Sequence, residues 1–473
     1  MTLQNLVTGF NNVIIFYTII ILTFFCVTII TAAIYLSKLK KNDRELGSIV
    51  DGMPERFIPV SILVPAYNEA EVIVDSILSL SKLDYDTYEI IVINDGSKDN
   101  TMQKILEYFD LQESKRIYKT TLKTQPINFV YEGIVNGHQI LVVDKMNGGK
   151  SDALNTGINI SQYPLFIAMD ADCVLKPDAI SKLVYPILMD KSTIAVGGNI
   201  RISNNSIIKD GEIVDQKPPK GFLVIYQTIE YMRVFMISRI AWNQYRSNLI
   251  ISGAFGLFRK DRVIEVGGYR TDTIGEDMEL VVRLNLHQIE CKREYRIENQ
   301  VDAYCYTQVP NKFKDFTNQR IRWHIGLMQS IGFHRKSVLN PKYNQVGLIG
   351  IVYYTFFELF SSVIEVFGYF VILLALIFGL FNAWMYIFLF TSIIIYSFSI
   401  TSSALMLERY LTDSKHKLSL TIKLIFFSLF EPLVYRQYCN FIRIYAMIRY
   451  KHYQNSWNKM KRNEYSISQN TKK

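Results

Sequence analysis

Several short segments of this 473-residue chain combine residue types that could do chemistry. VPAYNE (64–69) and INDGS (93–97) each close an apolar run with small and polar residues, the composition of the strand-end loops that cradle nucleotides in open α/β sheets. Either loop alone would suit any turn, since turns prefer Asn, Asp and Gly; two in succession carry more. In PLFIAMDAD (164–172) the carboxylates of Asp170 and Asp172 stand two residues apart, so an extended backbone would put both on one side. Hard oxygen ligands placed so suit Mg²⁺ or Mn²⁺, which binds through one or two carboxylates together with substrate phosphates and neutralises charge on a leaving diphosphate. An isolated DxD is more often a solvated strand end. In NGGKSDALNTG (147–157), Gly148 and Gly149 would let the backbone approach a phosphate closely and Lys150 supplies a point charge. The Walker spacing is absent, which excludes an ATP-binding P-loop.

GAFGLFRKD (253–261), GEDMELVVRL (275–284) and QRIRW (319–323) complete the set. The order and spacing of VPAYNE, NDGS, GGKSDALN, DAD, GED and QRIRW resemble the processive branch of the family 2 glycosyltransferases, which includes synthases of cellulose, chitin, hyaluronan and poly-N-acetylglucosamine. The resemblance runs over about residues 60–326, and QxxRW is specific for that branch. It implies a GT-A fold: an α/β domain with a Rossmann-like, mostly parallel sheet, packed under transmembrane helices. By the same resemblance Ala66, Tyr67, Glu69 and Asp95 line a nucleoside pocket, Lys150 contacts the nucleotide, and Asp170 and Asp172 hold the diphosphate with Mg²⁺ or Mn²⁺. Asp277, the last acid of GED, is the implied general base; Arg322 is placed on the diphosphate, and Glu276, Gln319 and Trp323 on the acceptor. The implied donor is a UDP-sugar carrying N-acetylglucosamine or glucose, the acceptor a growing glycan, and accessory membrane subunits fit the same scheme. Two departures stand out. Gly275 occupies the place where the family commonly has Thr, which removes a hydroxyl contact to the acceptor, and Asn94 replaces the first acid of DDGS, which removes one charge near the nucleoside.

These roles agree with elementary chemistry. An inverting transfer needs one carboxylate to take the acceptor proton, and a metal can serve the leaving diphosphate in place of an acid. An indole face stacks on sugar C–H groups while a guanidinium forks onto phosphate oxygens, so adjacent Arg322 and Trp323 suit a junction of donor and acceptor. Two rivals stay open: a non-processive enzyme adding one sugar to a lipid-linked acceptor, and an inactive subunit that binds nucleotide or glycan. QRIRW and the downstream apolar segments favour chain extension over the first, and the joint retention of DAD, GED and QRIRW argues against the second.

The elements that must position these residues follow from the periodicity. VSILVPAYN, a helix-like EAEVIVDSILSLSKL, YEIIVINDGS and a polar helix from Asp99 make a βαβ pattern. INFVYEG and HQILVVDK read as a hairpin insertion or an added strand, and PLFIAMDAD as a further buried strand. A soluble domain over 58–334 results, reached through a linker at 37–57.

Residues 13–36 are 24 consecutive uncharged, mostly apolar residues, enough to cross a hydrocarbon core of about 30 Å. Lys38, Lys40 and Lys41 follow at once, whereas residues 1–12 carry no charge. The positive-inside rule therefore puts the soluble domain in the cytosol and 1–12 outside, in a multi-pass protein of the plasma membrane. Further on, 346–381 is too long for one straight span and should bend before a spanning part near 361–381; 384–407 is a second span. Glu358 and Glu365 are seven apart, which suits either a glycan channel wall or an interfacial helix in water. The stretch 424–448 contains Glu431, Pro432, Arg436 and Arg443 and reads as a re-entrant, interfacial or transmembrane helix, followed by a basic tail at 449–473 expected to end without order. The formal charge is +9, from 52 Lys and Arg against 43 Asp and Glu; membrane lipid is an expected partner and nucleic acid is not. Five scattered cysteines without CxxC spacing suit reduced thiols in a cytosolic body.

Overall fold

The structure, a computed structural model, describes residues 3–50, 58–209, 212–215, 218–412 and 418–453. The chain divides into two units. A sheet unit takes the described residues between 44 and 220 and between 245 and 309; a helical unit takes those up to 43, 221–244 and those after 309.

The strands of the sheet unit, in chain order, are β1 (Val60–Ala66), β2 (Tyr88–Asp95), β3 (Gln112–Glu113), β4 (Ile127–Val135), β5 (His138–Lys145), β6 (Leu165–Met169), β7 (Val174–Leu175), β8 (Thr193–Ile202), β9 (Ile207–Lys209), β10 (Glu212–Asp215), β11 (Phe255–Arg259) and β12 (Arg296–Thr307). Ten of them join in the order β3-β4-β5-β2-β1-β6-β11-β8-β12-β7, and β9 pairs with β10. At the centre β5, β2, β1 and β6 run parallel, and β2 is buried along its whole length, as expected of strands covered on both faces. The sheet is nevertheless mixed: β11 enters antiparallel between β6 and β8, and β12 lies parallel to β8. The two readings of INFVYEG and HQILVVDK are both realised. β4 and β5 form an antiparallel hairpin while β5 adds in parallel to β2; its turn is Asn136–Gly137, both at positive φ, the pair favoured in type I′ hairpin turns.

The helix Lys150–Ile160 is buried from Ser151 to Ile160. A Cβ at Gly157 would come within 3.1 Å of the side chains of Ile93 and Leu63, so glycine is what lets this helix sit close on β1 and β2. Ala153, Leu154 and Ile158 of that helix share a core with Leu280, Val281 and Leu284 of the helix Glu276–Glu290. Both helices therefore start at fixed places over the sheet.

In the helical unit the first helix is not confined to the apolar 13–36; it runs Leu3–Val50. Among the residues that follow Leu36 are Lys, Leu, Arg and Glu, good helix formers, and no proline comes before Pro54. The N-terminal segment 3–12 and the described part of the expected linker are thus helical. Among the described residues three helical stretches are long and apolar enough to cross a membrane: Val7–Lys40, Val346–Ile377 and Ala383–Leu411. The second contains π-helical turns at Val346–Gly350 and Tyr354–Leu359, with a break in the helical pattern at Phe360 before the regular helix Ser361–Ile377. Leu418–Phe430 and Tyr435–Ile448 form a pair bent by 56°, across Glu431 and Pro432. The tail expected at 449–473 lies outside the described residues from 454 onward.

Glu358 and Glu365 follow neither sequence reading alone. Glu358 pairs with Arg443 at 3.3 Å and accepts from the Tyr353 hydroxyl, while Glu365 pairs with Arg436 and accepts from Asn440 Nδ2 at 2.7 Å. Arg233 donates to Glu431 at 3.1 Å and to the Ser397 and Thr401 hydroxyls. The charged residues that made the last apolar stretch look unfit for a span are thus paired with charged residues of other helices, Glu431 with Arg233, Arg436 with Glu365 and Arg443 with Glu358, the pairing that such groups need when taken out of water.

Candidate active site

Because β5, β2, β1 and β6 run the same way, their carboxyl ends share one edge, where ligands of open α/β sheets sit. That edge carries Lys145, Asp95, Ala66 and, just after β6, Asp170. In register Asp95 lies beside Lys145 and Ala66 beside Asn94. The loops after β1 and β2 are zipped together: Asn68 N–H donates to Ser97 Oγ at 2.8 Å, Glu69 N–H to Thr101 Oγ1 at 2.8 Å and Lys98 N–H to Asn68 Oδ1 at 2.7 Å. Ala66, Tyr67, Glu69 and Asp95 are brought to this one edge accordingly. Asn94 donates to Asp144 Oδ1 at 2.6 Å; an acid at 94 would face that carboxylate, which accounts locally for the amide.

Two expectations about the following loop change. Asp95 is buried, and its carboxylate is spent inside the protein: Oδ1 accepts from Lys145 Nζ at 2.6 Å and Gly148 N–H at 3.0 Å, Oδ2 from Gly149 N–H at 2.7 Å. The glycine amides that could have approached a phosphate therefore cradle a side chain of the protein instead. Gly149 has φ +88°, open to glycine at little cost, and a Cβ on Gly148 would lie 2.5 Å from the Asp152 carboxyl.

Lys150, the first residue of its helix, leaves this loop toward the DAD segment. Its Nζ donates to Asp170 Oδ1 at 2.6 Å and to the Gly253 carbonyl at 3.1 Å, and stands 3.6 Å from Glu276 Oε1. Asp277 Oδ2 accepts from Gly253 N–H at 3.1 Å, and its Oδ1 from Met278 N–H at 2.8 Å. Gly253 is the joint between the two: its carbonyl holds the ammonium and its amide the carboxylate. The antiparallel register of β11, with Phe255 opposite Met169, is what lays the residues before Phe255 alongside those after Met169. Burial disfavours the ammonium of Lys150, but the carboxylates of Asp170, Glu276 and Asp277 outweigh it and hold the group above its ordinary pKa. Glu276 is buried and Asp277 half-buried.

The DAD carboxylates are gathered by a turn and not by a pleat. β6 ends at Met169, and Cys173 N–H donates to the Asp170 carbonyl at 3.1 Å. Ligand atoms of Asp170, Asp172 and Cys173 all lie within 4.8 Å of one another, so the two oxygen donors fit a hard divalent ion.

Gln319, Arg322 and Trp323 belong to the helical unit, on the helix Phe313–Phe333, where spacings of three and four put them on one face. Gln319 is buried and Trp323 exposed; among the described residues Arg322 makes no ion pair or hydrogen bond. The middle arginine of QRIRW does different work. Arg320 forks onto Glu230 at 2.5 and 2.7 Å, donates to the Tyr435 hydroxyl at 3.0 Å and lies 4.5 Å over the Trp323 ring. Sequence reading passed over Arg320, Gly253 and Lys145. Arg320 had a signal, a charge facing inward from a helix, whereas Gly253 acts through backbone atoms that leave no trace in residue type.

The sequence matches Glycosyl transferase family 2 over residues 61–261 and Glycosyl transferase family group 2 over residues 165–407, just over half of the chain. It is similar to the poly-beta-1,6-N-acetyl-D-glucosamine synthase of Staphylococcus epidermidis, with 31% identity over 318 residues, and to that of Staphylococcus aureus, with 31% identity over 320 residues. In both cases the match covers 67% of this chain and 65% of the relative. Among solved structures it resembles a mannosyltransferase of Pyrobaculum calidifontis in complex with GDP-Man and Mn²⁺, with a TM-score of 0.50 and 15% identity over 90% of this chain and 98% of the other, a likeness of fold.

Proposed function

Because the chain belongs to the family 2 glycosyl transferases, we propose that it is a membrane-bound inverting glycosyltransferase that moves N-acetylglucosamine or glucose from a UDP-sugar onto a growing polysaccharide. The observation that carries this reading is that Lys150 and Asp277 meet on the Gly253 carbonyl and amide while the same Lys150 ammonium holds Asp170. It brings together a cation, a carboxylate of DAD and a second carboxylate at one place on the carboxyl edge of the sheet. The similarity to poly-beta-1,6-N-acetyl-D-glucosamine synthases favours N-acetylglucosamine and a polymeric product.

In this reading Asp277 takes the proton of the acceptor hydroxyl while that oxygen bonds the anomeric carbon and the bond to the diphosphate breaks on the opposite face. Gly253 N–H orients the carboxylate for that task. Glu276, ion-paired with Lys150, serves as its charge partner beside the acceptor. Lys150 steadies the diphosphate; by the likeness of QRIRW to the family motif, Arg322 is the proposed diphosphate contact and Gln319 and Trp323 the proposed acceptor contacts. A divalent ion held by Asp170 and Asp172 would neutralise the departing UDP. Ala66, Tyr67 and Glu69 are the residues proposed to meet the nucleoside, with Asp95 behind them.

The purified protein in detergent, incubated with a panel of UDP-sugars and Mg²⁺ or Mn²⁺, should release UDP and form a ladder of product masses. A single added sugar on a lipid carrier would replace polymer synthesis, and absence of UDP release from every sugar would remove the reading.

Lys38, Lys40 and Lys41 at the end of the apolar part of the first helix support a cytosolic sheet unit in a plasma membrane. A cysteine introduced at Ser206, in the loop between β8 and β9, should stay unlabelled by an impermeant thiol reagent on intact cells and react once the cells are opened, relative to the parent chain. Labelling on intact cells would invert the topology.

A further inference from the structure

The carboxyl edge of the sheet holds one ionic group for which the transfer chemistry has no use. Lys145, the last residue of β5, is fully buried, and each of its three ammonium protons has an acceptor: Asp95 Oδ1, Asp152 Oδ1 and the Met146 carbonyl, all at 2.6 Å. An ammonium offers three donors and no more, so the cage is complete. We propose that Lys145 is the positioning residue of the donor loop, residues 146–150, and that it sets where Lys150 presents its charge to the donor diphosphate. The proposal rests on the nucleotide-sugar reading of the site.

The path from Lys145 to Lys150 is short and polar throughout. Asp95, tied by Lys145, takes the Gly148 and Gly149 amides, and its carbonyl takes Asn147 Nδ2 at 2.7 Å. Asp152, also tied by Lys145, lies in the first turn of the helix that begins at Lys150 and accepts from Gln125 N–H at 3.0 Å. One ammonium, at the β5 end of the loop, thus ties the loop to the end of β2 on one side and to the helix start on the other. Two buried carboxylates so close together would repel if the cation between them were removed. The loop would then open where Gly149 sits at φ +88°, and Lys150 would lose its bearing on Asp170. Among the described residues Asp277 bonds to Gly253 and Met278 and not to Lys145, Asp95 or Asp152, so donor binding should suffer before turnover does.

The test uses the full-length protein in detergent. Lys145→Met should raise the Kd for UDP with Mn²⁺, and the donor KM, by about 10- to 100-fold, the span expected when a charged contact loses its geometry. Turnover at saturating donor should fall much less. Hydrogen exchange should speed up over 146–150 and stay unchanged in β1. Should Lys145→Met fail to fold, Asp95→Asn leaves no carboxylate without its cation, with Lys145 still on Asp152 and Met146, and should show the same split of KM from kcat and the same faster exchange. Unchanged UDP affinity and unchanged loop exchange, or a fall in melting temperature with KM untouched, would make Lys145 a purely structural ion and overturn the proposal. A wild-type chain that binds no UDP would instead reject the donor reading, and the exchange measurement would still decide the role of Lys145.

Discussion

Asp277→Asn should abolish sugar transfer while leaving UDP binding close to wild type. Asparagine keeps the size of the side chain but cannot accept the acceptor proton. Loss of a positioned base costs on the order of 10² to 10⁴ in rate, about 3 to 5 kcal/mol of barrier. The structural cost is smaller. Asp277 accepts from Gly253 N–H and Met278 N–H; an amide oxygen can keep one of these, so about 1 kcal/mol of hydrogen bonding is at stake. The two magnitudes separate the roles. If Asp277 served only to anchor Gly253 and start the helix, transfer, UDP affinity and melting temperature would decline together by small amounts. Glu276→Gln is the companion variant, since Glu276 stands 3.6 Å from Lys150 and should act on donor affinity. Wild-type-like transfer by Asp277→Asn removes the base assignment, and a selective collapse in Glu276→Gln moves it one residue back.

Chelation by excess EDTA should silence the enzyme, with Mn²⁺ or Mg²⁺ restoring it. The charges at the site compel this. Asp170, Glu276 and Asp277 surround the single ammonium of Lys150, and Asp172 adds a further carboxylate beside Asp170, so the local balance is negative. A diphosphate brought there meets repulsion that one lysine, already committed to Asp170, cannot offset. A divalent ion contributes several kcal/mol to stabilising a leaving diphosphate, a loss equivalent to about 10² to 10⁴ in rate. The readouts are UDP release and UDP affinity with and without metal. Full activity in EDTA, unresponsive to added metal, would dismiss the assignment of Asp170 and Asp172 as ligands.

The features legible in the sequence alone are local in their physics. Continuous apolar runs ended by Asn, Asp and Gly locate β1, β2 and β6 and the loops at their ends, since a buried strand and a turn each impose residue types over a few neighbouring positions. The Asn136–Gly137 hairpin and the long apolar helices are legible for the same reason. Motif order goes further and carries the family, and it picks out Asp170, Asp172, Asp277 and the QRIRW residues as candidates for the proposed roles.

Contacts between distant segments needed the tertiary structure. The antiparallel insertion of β11 beside β6 brings Gly253 to Lys150 and Asp277, and no periodicity in 253–261 announces which strand it will join. The carboxylates of DAD meet through a turn that begins at Asp170, although their spacing suited an extended strand equally well. Glu358, Glu365 and Glu431 find arginines far away in the chain, so their depth and partners could not be inferred from spacing along one helix. Lys145 is the plainest case. In the sequence it is a charged residue at the end of a strand, where solvent is the ordinary expectation, and its burial between Asp95 and Asp152 follows only because a parallel neighbour and a helix start close over it. Residue types and short periods state what a segment can become; which charges end up sharing one buried volume depends on long-range pairing of strands and helices, whose free energy is spread over the whole core.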